Sequence, residues 1–276
     1  MLDLAIIGGG PAGLSAAIYA ARAGLKVQAF EKADLGGLLP TIAQIENYPG
    51  FFGEGRLLAE QMRRQAEQSG ARLSYGECTD IMKTDSGYSL TIDGEEFSSR
   101  TVIFAAGSRP KQLSFDLGVP VSYCALCDGP LAKGKRVAVI GGANSAAQEA
   151  LYLASLASQV DLITHSAFKA DQGLIDRVAA TPNITIYEHL EPTPELLNQY
   201  DFCFVYIGKL PATNCLAHLA EEYAILSRSG YLCSDENSPD YPHMTVVPGL
   251  FAAGDVRDGA TKQVVVAAAD GAEAAI

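Results

Sequence analysis

Two cysteines three positions apart, Cys124 and Cys127, followed directly by Asp128, are the residues of this chain best suited to redox chemistry. A Cys-x-x-Cys pair can close a disulfide that exchanges readily, and a helix beginning at Cys127 would lower a thiolate pKa through its N-terminal dipole. Half a zinc site and a casual pair of core thiols are the other readings. Zinc needs a second pair, whereas Cys78, Cys203, Cys215 and Cys233 stand singly with no histidine at ligand spacing. Those four read as buried small hydrophobes. The second chemical pattern is Gly8-x-Gly10-x-x-Gly13 with Glu31 beyond it. Gly8 suits a tight turn, Gly10 lets backbone reach a pyrophosphate, and Gly13 allows close helix–strand packing. Glu31 is placed to accept a hydrogen bond from a ribose hydroxyl, which favours FAD or NAD over NADP. An ordinary glycine turn is the plainer reading.

The elements around these residues argue against the plain turn. The apolar run Leu4-Ala5-Ile6-Ile7 ends in the glycines, and Leu14, Ala17, Ile18 and Ala21 then recur at helical spacing up to Gly24. Val27-Gln28-Ala29-Phe30 supplies a second strand closed by Glu31, so residues 2–31 form one βαβ unit. The arrangement repeats. Arg136 to Ile140 runs into Gly141-Gly142-Ala143-Asn144-Ser145-Ala146, a helical stretch through Leu153, and a strand at residues 160–164. The strands ending at Gly107 and Gly208 each close one unit. Residues 249–255 read as a strand ending in Gly254-Asp255, residues 263–275 as a helix, and the Pro- and Asp-rich residues 235–242 as a linker.

Composition narrows the class. A length of 276 residues suits two domains, or one interrupted by another. Hydrophobic residues at 48% and charged residues at 19% exclude disorder, collagen-like repeats and coiled coil. Lys+Arg 20 against Asp+Glu 32 gives a net charge of −12, so neither nucleic acid nor an anionic membrane is an expected partner. No apolar stretch reaches the ~18 residues of a membrane span, and the N-terminus lacks a secretory pattern. The expected setting is cytoplasmic, where a Cys-x-x-Cys pair is more often catalytic or metal-binding than a structural staple.

Taken in order, Gly8-Gly9-Gly10-Pro11-Ala12-Gly13, Glu31, Gly36-Gly37, Glu46-Asn47-Tyr48-Pro49-Gly50-Phe51, Ala105-Ala106-Gly107, Cys124-Ala125-Leu126-Cys127-Asp128-Gly129 and Phe251-Ala252-Ala253-Gly254-Asp255-Val256 resemble the motifs of low-molecular-weight thioredoxin reductases over nearly the whole chain. The resemblance implies an α/β protein of two Rossmann-like three-layer domains, the second inserted into the first, of the FAD- and NAD(P)-linked disulfide reductase type. Residues 1–106 and 236–276 would bind FAD, and residues 107–235 would form an NAD(P)-domain-like insert carrying the redox disulfide. The family's FAD contacts fall on Gly8, Gly10, Pro11, Ala12, Glu31, Gly36, Gly37 and Asn47, with Cys78 near adenine. Ala106 and Gly107 belong to the same site. Gly254 and Asp255 would meet the ribityl and phosphate region, and Lys262, Gln263 and Val264 would place backbone near the flavin ring. Leu38 stands where the family commonly has Gln, which calls one polar FAD contact into question and leaves FAD binding intact.

By the same resemblance, Cys127 would face the flavin, Cys124 would be the interchange thiolate that attacks the partner's disulfide, and Asp128 would protonate the departing thiolate. The other role for Asp128 is a helix N-cap. The domains would rotate about crossovers near 107–113 and 233–242, and the family implies a homodimer whose terminal helix runs beyond the position of Ile276. The second glycine motif departs from the family. Ala143 puts a methyl group where backbone should approach pyrophosphate, and Ser166 and Ala167 stand where two arginines are expected, leaving Lys169 alone beside the loop residue His165. No acid ends that strand, so a switch to NADH is not the simple explanation. The expected function is therefore an FAD-dependent dithiol–disulfide oxidoreductase acting on thioredoxin or a thioredoxin-like protein without a pyridine nucleotide. It resembles the branch in which ferredoxin or another flavin donates electrons. An acidic ferredoxin would need a local basic patch on this acidic chain. A conventional NADPH-dependent thioredoxin reductase and a flavin-binding redox sensor stay open as alternatives.

Overall fold

The computed structural model describes residues 1–42, 45–235 and 240–276, the side chains at positions 46, 126 and 127 excepted. The chain divides into two compact units, Met1–Arg109 with Leu210–Ile276, and Pro110–Lys209.

Unit 1 begins with β1 (Leu2–Ile7), α1 (Pro11–Arg22) and β2 (Val27–Glu31). Strand β1 is apolar almost throughout because it lies between parallel neighbours and is covered on both faces. Then come a hairpin of β3 (Ile45–Tyr48) and β4 (Phe51–Gly53), α2 (Gly55–Gln68), β5 (Arg72–Tyr75), β6 (Cys78–Thr84), β7 (Gly87–Ile92) and the ten-residue β8 (Glu95–Phe104). The sheet order is β5-β2-β1-β8-β7-β6. Strand β8 serves two partners. Its first half alternates in burial and pairs antiparallel with β7, while Val102-Ile103-Phe104 is continuously buried in the parallel part.

Unit 2 follows the short β9 (Ser108–Pro110) and contains β10 (Val121–Ser122), α3 (Ala125–Asp128), β11 (Arg136–Ile140), α4 (Asn144–Ala154), β12 (Gln159–Ile163), α5 (Gln172–Ala179), β13 (Ile184–Tyr187), α6 (Pro194–Leu197) and β14 (Phe202–Val205). Its sheet is parallel in the order β10-β14-β11-β12-β13. Both βαβ units read from the sequence are therefore present, each closed by the strand assigned to it. Strand β15 (Lys209–Pro211) pairs with β9 and carries the chain back to unit 1. There α7 (Ala217–Tyr223), β16 (Leu250–Ala252) beside β8, and α8 (Val264–Ala275) complete the fold.

One boundary differs from the sequence reading. Residues 210–235, expected in the insert, belong to unit 1, and the return crossover lies at 209–211 instead of 233–242. The cause is apolar. Cys215, Leu216, Leu219 and Ile225 pack into the core formed by Ile81, Leu90, Phe104 and Val102, which completes the side of the sheet opposite α1 and α2. The expected linker centres on residues 236–239, which lie outside the described residues.

Candidate functional site

In unit 1 the glycine turn is shaped by contacts that forbid larger side chains. Gly8 has φ +107°, and a Cβ there would stand 2.2 Å from the Ala105 carbonyl oxygen. A Cβ on Gly13 would stand 1.8 Å from the Gly8 oxygen, so α1 rests directly on the turn. Gly10 differs. It has ordinary backbone angles, φ −75°, and the nearest atom to a Cβ there is the Gly37 Cα at 3.9 Å. Gly36 donates its N–H to the Gly9 oxygen at 2.7 Å, and a Cβ on Gly254 would meet that of Ala12 at 2.8 Å. Gly8, Gly10, Ala12, Gly36, Gly37 and Gly254 thus converge on the N-terminus of α1, where Pro11 at the first turn lacks an N–H and the helix dipole is positive. A cradle of backbone without side chains at a twelve-residue helix N-terminus fits a pyrophosphate.

Glu31 braces the turn, accepting the Gly9 N–H at 2.7 Å on one carboxylate oxygen and the Ala33 N–H at 2.9 Å on the other. Each oxygen keeps a further lone pair for a ribose hydroxyl. Asn47 and Gln263, far apart in sequence, meet through a 3.0 Å bond from Asn47 Nδ2 to Gln263 Oε1. The Lys262 ammonium lies over the Tyr231 ring, 4.0 Å from its centroid, and donates to the Tyr231 hydroxyl. Val264 opens α8, and a Cβ on Gly107 would meet nothing within 4 Å. Leu38 is exposed on the surface. Cys78 lies at the start of β6, hydrogen-bonded to the Cys215 thiol instead of standing singly.

Two residues holding this region were not singled out in the sequence. Asp270, buried in α8, accepts the Gly254 N–H at 3.1 Å and both Nε and Nη2 of Arg257 at 3.0 and 3.1 Å, so it clamps the Gly254-Asp255-Val256 turn. An acid within the Ala-rich run of α8 was the available signal, because a buried carboxylate demands partners.

In unit 2, Cys124 is disulfide-bonded. Helix α3 starts at Ala125, two residues earlier than the expected start, which makes Cys127 its third residue; the Cys127 side chain lies outside the described residues. Ser122 organises the approach to Cys124. Its Oγ accepts the Cys124 N–H at 3.0 Å and stands 2.6 Å from Asp128 Oδ2, to which it donates. Asp128 occupies the N-cap position of the following 3₁₀ turn, yet its side chain makes no capping bond there. The Ala125 N–H donates to the Tyr206 hydroxyl at 2.6 Å. Burial, aided by the Glu149 and Asp128 carboxylates, pushes the Tyr206 hydroxyl well above the usual phenol range, and burial raises Glu149 too. Tyr206 therefore stays a neutral acceptor anchoring the first N–H of α3.

The second glycine turn keeps the strand–turn–helix form, with Gly141 at φ +152°, and is bridged by side chains from the following loop. Asn144, the first residue of α4, and Asp171 bind each other reciprocally. Asn144 Nδ2 donates to Asp171 Oδ2, and the Asp171 N–H donates to Asn144 Oδ1, both at 2.7 Å. The loop between them folds onto the turn through the Lys169 N–H to Gly142 oxygen bond at 2.7 Å, and the Phe168 N–H is held by Glu188 at 2.6 Å. His165 and Lys169 are exposed on that loop. The carboxylates of Asp171 and Glu188 thus hold the α4 start and the loop beside the second glycine turn.

The comparisons with known proteins agree with this architecture. The family described as pyridine nucleotide-disulphide oxidoreductase matches residues 2–181. A thioredoxin reductase of Ureaplasma parvum is 35% identical over 99% of this chain and 94% of its own. The crystal structure of Lactococcus lactis thioredoxin reductase in its FR conformation superposes with a TM-score of 0.80 at 28% identity, covering 100% of this chain and 97% of that one. The atypical thioredoxin reductase of Desulfovibrio vulgaris is 31% identical with a TM-score of 0.56, covering 100% and 96%.

Proposed function

Because the chain belongs to the pyridine nucleotide-disulphide oxidoreductase family and, within it, to the thioredoxin reductases, FAD-carrying disulfide oxidoreductases, we propose that it reduces a thioredoxin-like protein through Cys124 and Cys127 with electrons from a donor other than NAD(P)H. Bound FAD supplies a two-electron carrier. The backbone cradle of Gly8, Gly10, Pro11, Ala12, Gly36, Gly37 and Gly254 would hold its pyrophosphate, Glu31 a ribose hydroxyl, and Asn47 with Gln263 the region nearer the ring; Cys78, Ala106, Gly107, Asp255, Lys262 and Val264 complete the proposed site.

In the exchange step the Cys124 thiolate attacks the partner's disulfide, one partner sulfur departs, and Asp128 gives it a proton. The Cys127 thiolate then attacks Cys124, releasing the second partner thiol and restoring the protein disulfide. Ser122 sits between Cys124 and Asp128 and keeps them in register, and Tyr206 fixes the start of α3.

The observation carrying the donor reading is the Asn144–Asp171 pair. A pyrophosphate at the α4 N-terminus would have to displace a reciprocally bonded amide and approach the Asp171 carboxylate, with Ala143 as N-cap and Lys169 the single cation of the loop. Lys111 and Lys209, exposed where the chain enters and leaves unit 2, supply local positive charge for an acidic donor such as ferredoxin. One observation favours the conventional NADPH-dependent reading, namely that the family match extends through residue 181 and so includes the second glycine turn. Calorimetric titration separates the two. No heat is expected on adding NADPH or NADH to the holoenzyme, while reduced ferredoxin should drive thiol formation on thioredoxin, lost in Cys124→Ser; micromolar NADPH binding would overturn the reading.

A further inference from the structure

We infer that Cys78 and Cys215 form a second redox-active dithiol, a peroxide-responsive modification site in unit 1 separate from the Cys124 disulfide. Both are free thiols, and they are hydrogen-bonded to each other although 137 residues apart. Cys78 starts β6 at an irregularity in its pairing with β7, and its Sγ also lies 3.5 Å from the Asp80 carbonyl oxygen. Cys215 lies in the turn at Asn214–Leu216 that brings the returning chain onto β6. A second contact fixes the same junction, since His218 Nδ1 stands 2.9 Å from Asp80 Oδ1. The two cysteines therefore share one apolar cluster at a junction that the His218–Asp80 contact also joins.

The pair is also chemically unequal. The hydrogen bond from Cys78, helped by Lys32, lowers Cys215, while that bond and burial hold the proton on Cys78; the nearby Asp80 carboxylate opposes ionisation of both. The shared bond thus eases ionisation of Cys215 and leaves Cys78 as the resolving thiol, an inequality that favours reversible oxidation. Among the described residues no cluster of three His, Cys, Asp or Glu side chains is arranged to hold a metal ion, so the pair is not part of a larger ligand set there.

With hydrogen peroxide as oxidant the step balances. The Cys215 thiolate attacks one peroxide oxygen, breaking the O–O bond to give the sulfenic acid and hydroxide. The Cys78 thiol then attacks the sulfenic sulfur, the S–S bond forms, and the sulfenic hydroxyl leaves with the thiol proton as water. The resulting bond would tie β6 to the first turn after the chain leaves unit 2.

The test uses the wild-type holoenzyme, titrated with hydrogen peroxide, alkylated after denaturation and mapped by peptide mass. A single new linkage joining the Cys78 and Cys215 peptides should appear at doses about tenfold below those that modify Cys203 or Cys233. Cys203 is the internal control, a wholly buried thiol pushed up to about 12. In Cys78→Ser, dimedone should trap a sulfenic acid at Cys215. The inference is overturned if Cys78 and Cys215 remain alkylatable at doses that oxidise Cys203 or Cys233, or if linkages form without preference for this pair.

Discussion

Replacing Gly10 by alanine separates what the glycine turn does for the fold from what it does for the cofactor. The added methyl would meet only the Gly37 Cα at 3.9 Å, an ordinary contact, and φ is −75°, open to any residue. The cost to the apoprotein is the loss of a favourable N-cap, about 0.5–1 kcal/mol, which lowers Tm by roughly 1–4 °C in a unit of this size. The same methyl stands at the backbone a pyrophosphate must approach. Losing about two charge-assisted N–H contacts, at about 1.5–3 kcal/mol each, weakens FAD by roughly 100-fold or more. Gly13→Ala is the contrast. Its Cβ would sit 1.8 Å from the Gly8 oxygen, so α1 must lift off β1, and unit 1 should melt roughly 10 °C lower or fail to fold. Flavin-to-protein absorbance ratios, FAD titration of the apoprotein and thermal melts read both effects. A Gly10→Ala protein with wild-type FAD affinity would refute the cradle, and a Gly13→Ala protein with wild-type Tm would refute the contact beneath it.

Other consequences concern unit 2. Tyr206→Phe leaves the Ala125 N–H without its acceptor, and thioredoxin turnover should fall about tenfold while FAD content stays constant; an unchanged rate would remove Tyr206 from the positioning of Cys124. Asp161 is 1% exposed and binds Arg136 at 2.6 Å, Gln159 at 2.9 Å and Tyr200 at 3.0 Å. Asp161→Ala should therefore cost about 2–4 kcal/mol in urea unfolding, and a loss under about 1 kcal/mol would contradict that network. Burial raises Cys203 from 9.0 to about 12, so the thiol stays neutral in the native state while the unfolded chain ionises it. Its contribution is complete below pH 9 and declines by about 1.4 kcal/mol per pH unit up to pH 12. Cys203→Ala should flatten that alkaline limb by one proton; parallel stability curves would show that the thiol is not the cause.

Local patterns were legible where one stretch of chain contains its own reason. Residues 2–31 and 136–163 combine apolar runs, glycine turns and helical periodicity, and both βαβ units form there. What escaped depends on partners distant in sequence. Residues 210–235 leave the insert because Cys215, Leu216 and Leu219 find Ile81 and Leu90, a choice that no window around residue 215 contains. Asp161 and Asp270 look like ordinary surface acids until their partners surround them. Ala143 and the missing arginines signalled a changed second turn, but the Asn144–Asp171 pair spanning it emerges only when α4 and α5 pack together. Cys78 and Cys215 read as single thiols for the same reason.

The donor is decided most directly by the flavin itself. In anaerobic stopped-flow mixing, excess NADPH or NADH should leave the flavin absorbance of the holoenzyme unchanged over minutes. Photoreduced ferredoxin should bleach it, and oxidised thioredoxin added afterwards should restore the colour through Cys124 and Cys127. Rapid bleaching by micromolar NADPH would contradict the central claim.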